Sequence, residues 1–376
     1  MNITILGTQI ASDLAALSPA IHTKSTMPIL SNVALTVSHG VLTMRGTNTE
    51  IEIETSRTLD GEFKEGSCAV NNYAFTNIIK RLSTRSKPIN IFLDENRTLH
   101  IECGKAALTL QTALVEDLPS IDRDVKQVAQ LDLEDPKDFT SALKAVLPFV
   151  AHNDVRYYLT GVALQMDKDS ITLIASNGHR LASFSLPITT GVAASLIIPA
   201  PTVKTIVQLI SNAKEKACCL QLQRSTASFT VDRVKLTTKL IDGKYPDWKR
   251  IVPRGDFNTV LNRHELTQAV EIATAGYIAD SSKSFCAIAI TPCKDRLLVN
   301  YTERHGSGSG NEECIATLTE NLDHTICIDR DYVLDAMKFI DSEDVKIFMP
   351  ADSHAALRFE PVDGADCQIT LSPMRA

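Results

Sequence analysis

Three stretches decide the fold: CAVNNYAFTNIIKRL (68–82), LIIPAPTVKTIVQLI (196–210) and ICIDRDYVLDAMKFI (326–340). Each reads as a short apolar strand, a step, and then apolar residues at helical spacing. Phe75, Ile78, Ile79 and Leu82 carry that spacing in the first, and Val203, Ile206, Val207 and Ile210 in the second. The three stand 128 and 130 residues apart. A second pattern precedes each one: SDLAALSPAI around Leu14, SALKAVLPFV around Leu143 and TQAVEIATAG around Val270, at offsets of 129 and 127. LSNVAL (30–35) also aligns with LTGVAL (159–164), again 129 apart. Independent segments that agree on one period make a threefold internal repeat.

Within a repeat the order reads strand, helix, several strands, helix, several strands. ALTVSHGVLTMRGTNTEIEIE (34–54) alternates apolar and polar residues around His39–Gly40, as a hairpin does. KACCLQLQRSTASFTVDRVKLTTKLI (216–241) alternates likewise, which puts Cys218 and Cys219 on a strand, facing opposite sides. Antiparallel sheet with helices packed on one face is the α+β class. The repeat implies three tandem similar domains, 1–125, 126–254 and 255–376.

With 376 residues, 44% of them apolar, the chain has material for up to three ordinary cores. It carries 38 basic and 45 acidic side chains, a net charge of −7, which excludes a protein that coats nucleic acid by bulk attraction. A local basic surface stays compatible with that balance. Aromatics make up 5%, with Trp248 alone of its kind, so base stacking on aromatic platforms does not dominate. The nine cysteines follow no regular spacing, and MNITILGTQIASDLAAL (1–17) lacks the basic start of a leader, so they read as reduced thiols of a cytoplasmic protein. No run approaches the ~18 apolar residues of a membrane span.

Catalytic motifs fail one by one. There is no G-x-x-x-x-G-K-[ST] loop, and GSGSG (306–310), followed by Asn311, Glu312 and Glu313, reads as a flexible hairpin tip. Ser211 and Lys214 match S-x-x-K without its companion motifs. His264–Glu265 lacks a second histidine and no C-x-x-C occurs. No catalytic residue, metal site or cofactor is expected.

Four strings remain: HNDVRYYLTGVAL (152–164), SNGHRLASF (176–184), KLIDGKYPDWKRIVP (239–253) and QITLSPMRA (368–376). Taken with TMPILSNVAL (26–35), DYVLDAM (331–337) and the terminal SPMR (372–375), they make the chain resemble, over its full length, the bacterial sliding clamp family, the beta subunit of DNA polymerase III. The resemblance implies the DNA clamp fold and a head-to-tail homodimeric ring, with helices inside and sheets outside. Such a ring holds duplex DNA by enclosure, without sequence preference, so an acidic protein can retain DNA that it hardly attracts.

It implies DNA contacts at Lys24, Tyr73, Asn153, Tyr157 and Tyr158, with Ala200–Pro201 where relatives carry a basic pair. Lys80, Arg81, Lys137, Lys144, Lys204 and Lys338, on or beside the helices, are the candidates for an inner basic surface. The resemblance also implies a pocket for short peptides of the replicative polymerase alpha subunit, other polymerases, repair proteins and the clamp loader. Its residues would be Arg156, Leu159, Ser176, Gly178, His179, Arg180 and Leu181, then Pro246, Arg250, Ile251, Phe285, Tyr332 and His354. The tail Thr370, Leu371, Ser372, Pro373, Met374 and Arg375 completes it. Leu159, Leu181, Ile251 and Met374 are expected to form an apolar floor, with Arg156, Arg180 and Arg250 at the rim. One subunit edge is expected at ALTLQT (107–112), with Leu108 and Leu110, and the other near 270–280. No membrane partner is implied. Two other classes stay open at this point: a repeated-domain metabolic enzyme built on His179–Arg180 and Asp154–Arg156, and a scaffold oligomer with no DNA role.

Overall fold

The structure, a computed structural model, describes residues 1–22, 26–121, 127–214, 217–278, 285–303, 308–319 and 324–374. Its elements recur three times in the same order. The first series is β1 (Asn2–Leu6), α1 (Gly7–Leu17), β2 (Asn32–Ser38), β3 (Val41–Thr47), β4 (Ile51–Thr58), β5 (Gly66–Asn71), α2 (Asn72–Ser83), β6 (Pro88–Leu93), β7 (Thr98–Cys103) and β8 (Ala106–Ala113). The second is β9 (Gln127–Leu133), α3 (Lys137–Val146), β10 (Gly161–Asp167), β11 (Ser170–Ser176), β12 (Arg180–Leu186), β13 (Ala194–Pro199), α4 (Ala200–Asn212), β14 (Cys218–Gln223), β15 (Thr226–Val231) and β16 (Val234–Lys239). The third is β17 (Thr259–Asn262), α5 (Arg263–Ala273), β18 (Ala287–Cys293), β19 (Arg296–Thr302), β20 (Ser309–Leu318), β21 (Ile326–Asp329), α6 (Arg330–Phe339), β22 (Asp344–Phe348), β23 (Leu357–Pro361) and β24 (Cys367–Leu371).

Each strand-to-helix step has a local cause. Asn71 caps α2 by accepting the Ala74 N–H at 3.1 Å, while Lys80 and Arg81 sit in its last turn, where cations suit the helix dipole. Asn262 caps α5 and Asp329 caps α6 in the same way, each accepting two first-turn N–H groups. In α4 the step is Pro199–Ala200–Pro201, with proline in the first turn, where its missing N–H costs nothing. Inward-facing residues then fill the cores: Phe75 and Ile79 from α2 and Phe149 after α3 are fully buried, each stabilising by about 1.5–3 kcal/mol. The hairpin read at His39–Gly40 is present, with φ of 50° and 75° as a two-residue type I′ turn requires. Cys218 is buried and Cys219 half-buried on β14. Of GSGSG, residues 306–307 lie outside the described residues, and Ser309–Gly310 open β20.

By contacts the chain forms two compact units, Met1–Lys137 with Lys204–Leu240, and Asp138–Val203 with Ile241–Ala376. Each contains one twelve-stranded sheet in which every pairing is antiparallel. In the first unit the order is β1-β6-β7-β8-β5-β2-β3-β4-β16-β15-β14-β9, and α1 packs on α2, β3 and β4. In the second it is β13-β10-β11-β12-β24-β23-β22-β17-β20-β19-β18-β21, and α5 packs on α6, β19 and β20. Every repeat supplies the same two four-stranded blocks, 1-6-7-8 and 5-2-3-4 in the first. The last strand of the second block then pairs with the last strand of the following repeat: β4 with β16, and β12 with β24. Two strands of that kind keep mostly free outer edges. β8 meets β5 only through Thr112 and Ala113, and β20 meets β17 only through Ala316–Leu318.

Candidate functional site

The second unit gathers most of the marked residues around the β11–β12 turn. Asn177 makes the turn: its Oδ1 accepts the N–H groups of His179 (2.9 Å) and Arg180 (3.0 Å). Ser176 Oγ donates to the Arg180 carbonyl at 2.8 Å and accepts from Gly178 N–H at 3.1 Å. Gly178 has φ +89°, and a Cβ there would lie 2.6 Å from Arg156 Nη1. The left-handed backbone favours glycine there, and any side chain would displace the Arg156 guanidinium.

Arg156 is held in place by Asp154. Its Nε and Nη2 donate to the two carboxylate oxygens at 3.0 and 2.6 Å, and Nη2 also donates to the Asn177 carbonyl at 3.1 Å. The Arg156 hydrogen bond, above all, holds the Asp154 carboxyl down to about 2. Arg180 differs from its expected place at the rim. Its side chain is only 12% exposed, and it stacks against Phe149 (5.0 Å) and Tyr332 (4.5 Å). Nη1 donates to Asp335 at 2.7 Å and Nη2 to the Pro148 carbonyl at 2.7 Å. Arg180 thus forms part of the wall. The rim arginines are Arg156, 42% exposed, and Arg250, 84% exposed beside Asp247.

The apolar floor is also more closed than expected. Leu159 and Leu181 are buried in a cluster with Tyr245 and Trp248, against which Tyr158, Ile241 and Val252 pack. Pro246 is half-buried within that linker, while Ile251 is 52% exposed and Met374 half-buried. The tail is fixed by backbone bonds: Arg180 pairs with Leu371, Ser372 N–H donates to the His179 carbonyl at 2.8 Å, and Met374 N–H to the Cys327 carbonyl at 2.8 Å. Thr370 and Leu371 are buried, Ser372 and Pro373 half-buried, and Arg375 lies outside the described residues. Asn177 Nδ2 donates to the Tyr332 hydroxyl at 3.3 Å, tying α6 to the turn. Phe285 and His354 are exposed on other segments, the latter beside Asp352.

Of the residues expected at DNA, Lys24 lies outside the described residues. Tyr73 (72% exposed) and the exposed Lys80 and Arg81 share α2. Asn153 and Tyr157 are exposed, whereas Tyr158 packs on the cluster. Sequence reasoning paired Asp154 with Arg156, but it missed Val155, 95% exposed between them, and it missed Phe149 and Asp335 as the groups that fix Arg180. Val155 had a signal, an apolar residue inside a polar turn; the partners of Arg180 lie too far along the chain to show one. Leu108 and Leu110 are half-buried on β8. In the third repeat, α5 and β20 line an open cavity of about 520 Å³ with exposed Ile272 and Ile315 and with Glu265, Asp295, Glu312 and Glu313 against Arg296.

Three repeats of the same α+β blocks, with the turn, the tail and Tyr332 brought together in the second unit, define the class of DNA clamps, and comparison with known proteins agrees. The chain has the fold of a Pseudomonas aeruginosa DNA polymerase sliding clamp solved with a ligand, at TM-score 0.91 and 24% identity over 100% of both chains. It also matches a Bartonella birtlesii sliding clamp bound to griselimycin, at TM-score 0.89 and 25% identity over 100% of both. The beta sliding clamp of Vibrio cholerae serotype O1 is 26% identical over 377 residues, covering both chains fully. Models of the DNA polymerase III beta subunit match twice, its N-terminal domain at residues 1–122 and its central domain at 135–247. The chain belongs to the DNA polymerase III beta subunit family, the beta sliding clamps, and its function is that of a sliding clamp, the processivity factor of a replicative polymerase. Clamps of this family work as dimers that encircle DNA and engage the clamp loader and polymerases through a peptide pocket.

Proposed function

We propose that three domains, near 1–125, 126–254 and 255–376, make half of a non-catalytic cytoplasmic ring whose groove at β12, β24 and α6 takes the peptides. The observation that carries the groove is the convergence of the β11–β12 turn, the tail and Tyr332 on one another, with both arginines already held by carboxylates. A preset groove lets a few buried anchors supply most of the affinity. Because Arg156 and Arg180 are paired, apolar anchors, rather than acidic ones, gain most there. Titrating a leucine-rich clamp-binding peptide against the full chain and a chain lacking 373–376 tests it: binding should be lost while the dimer persists, and equal affinities would place the groove elsewhere.

The subunit seam follows from the pairing rule. β4 receives β16 and β12 receives β24, which leaves β20 to receive β8 of a second copy. Carrying the β4–β16 register over sets Leu108 opposite Gly310. Lys105 then takes the place of Arg233 and meets the acidic α5–β20 face, while Ile272 and Ile315 meet apolar residues. Replacing Leu108 and Leu110 with Asp should give monomers by light scattering; an intact dimer at micromolar concentration would sink this placement. Tyr73, Lys80, Arg81, Asn153, Tyr157 and Tyr158 are proposed to face DNA, as is Lys24. Loaded protein should stay on circular DNA and leave linearised DNA, and retention on both would contradict enclosure.

A further inference from the structure

Between α1 and the part of α4 from Lys204 onward, the first unit holds a cavity of about 610 Å³, inside the ~300–1,000 Å³ range of small-ligand sites. Ala15, Ala16 and Leu209 supply apolar lining; Gln208 and Asn212 supply amides. Arg57 of β4 and Arg233 of the β15–β16 turn stand on its wall. Both are directed at one carboxylate, Asp13, which is 1% exposed. Arg57 donates from Nε and Nη2 to its two oxygens at 3.0 and 2.9 Å, and Arg233 from Nε to Oδ1 at 2.7 Å. Arg233 Nη2 donates to Ser12 Oγ at 3.0 Å. Among the described residues, Nη1 of each arginine makes no hydrogen bond.

The charge balance follows. Lys214 and Asp232 on the same wall offset each other, and two guanidiniums then face one carboxylate, leaving one positive charge in excess. The helix ends do not decide the sign. α1 opens here with no side-chain cap and α4 ends here, so their opposite dipole charges offset. Nor is the excess a property of the repeat: Asp13 and Arg57 correspond to Ala269 and Cys314 in the third repeat, where the matching cavity is acidic. The single Nη1 that each guanidinium leaves unbonded can donate to an oxygen of a phosphate.

We propose that this cavity is an anion site that seats one phosphate group on Arg57 and Arg233, with the amides of Gln208 and Asn212 as further donors. The group has two possible sources, a phosphodiester of the encircled duplex or a free phosphorylated small molecule. Inorganic phosphate titrated calorimetrically into the intact dimer, at ionic strength held constant with chloride, is the probe. Saturable binding is expected, weakened about tenfold or more in Arg233→Gln and unchanged in the surface variant Arg224→Gln. Asp13→Asn should bind phosphate more tightly, because it removes the competing carboxylate; a purely structural ion triad would only lose stability. No saturable binding, or equal binding by Arg233→Gln, overturns the proposal. Salt challenge of protein loaded on circular DNA then identifies the source. Earlier release of Arg233→Gln, mimicked in wild type by added phosphate, assigns the seat to DNA, and unaltered release assigns it to a free phosphorylated ligand.

Discussion

The turns Thr47–Glu50 and Ser176–His179 are one piece of backbone in two surroundings. Asn48 Oδ1 accepts the N–H groups of Glu50 and Ile51 as Asn177 Oδ1 accepts those of His179 and Arg180. Thr47 Oγ1 donates to the Ile51 carbonyl and accepts from Thr49 N–H, as Ser176 Oγ does with Arg180 and Gly178. Even the next chain arrives alike: Lys239 N–H donates to the Glu50 carbonyl at 3.0 Å, and Ser372 N–H to that of His179 at 2.8 Å. The differences are in the side chains. Where the second unit has Arg180 and, sixth along α6, Asp335, the first has Ile51 and, sixth along α4, Thr205. The repeat therefore sets the backbone, and the proposed groove would belong to a few side chains added at one copy of it.

The largest effect should come from breaking the added ion pair. Asp335→Ala leaves Arg180 nearly buried without its carboxylate, which costs about 3 kcal/mol locally. Thr205→Ala, its counterpart, should cost about 1 kcal/mol, because it removes a buried hydroxyl rather than one member of an ion pair. Hydrogen exchange at β24 and β16 amides reads the two sites separately. Equal losses would mean that Arg180 contributes nothing special to the groove wall.

Next in size is Gly178→Ala. A left-handed alanine costs about 1 kcal/mol, and the methyl would also push the Arg156 guanidinium off its place. Peptide affinity should fall about tenfold while unfolding shifts little. An unchanged affinity would show that Arg156 is a bystander.

The Asp154–Arg156 pair sharpens the same point through pH. The folded carboxyl sits at about 2, below its ordinary 3.8. Its contribution is therefore complete above about pH 4 and lost as pH falls through 2. Peptide binding should show no acid limb from this pair at any working pH. Asp154→Asn, which removes the charge outright, should weaken binding at all of them, and an acid limb near neutrality that this variant abolishes would contradict the assignment.

These contrasts also mark what could be read from the sequence. Strands and helices were legible because burial imposes periods of 2 and 3.6 on any one repeat, as in Phe75, Ile79 and Leu82. Arg180 and Asp335 are 155 residues apart, and nothing in either neighbourhood says that they meet. The sheets posed the same difficulty. The sequence reads the start of β20 as a hairpin tip, and only the pairing order, β4 with β16 and β12 with β24, shows that its edge is left over. The expected edge near 270–280 falls on the end of α5, which carries Ile272; the seam proposed above adds β20, with Ile315, on the same cavity.

The smallest effect runs in the opposite direction. Thr49 occupies the position of Gly178 with φ +74°, a conformation that a β-branched residue adopts at a cost of about 1–2 kcal/mol. Thr49→Gly relieves that cost. It also keeps the bond to Thr47 Oγ1, because the donor is the backbone N–H. Glycine gives back about 0.5–1 kcal/mol through its freer unfolded chain, so the net gain should be near 0.5 kcal/mol. Protection of β4 and β16 amides should rise accordingly, with peptide affinity unchanged, since the groove lies in the other unit. If Thr49→Gly instead destabilised the first unit, the threonine side chain would be supplying packing that outweighs its backbone. The two turns would then be alike in hydrogen bonding only, and the repeat would set less of the local energetics than their shared geometry implies.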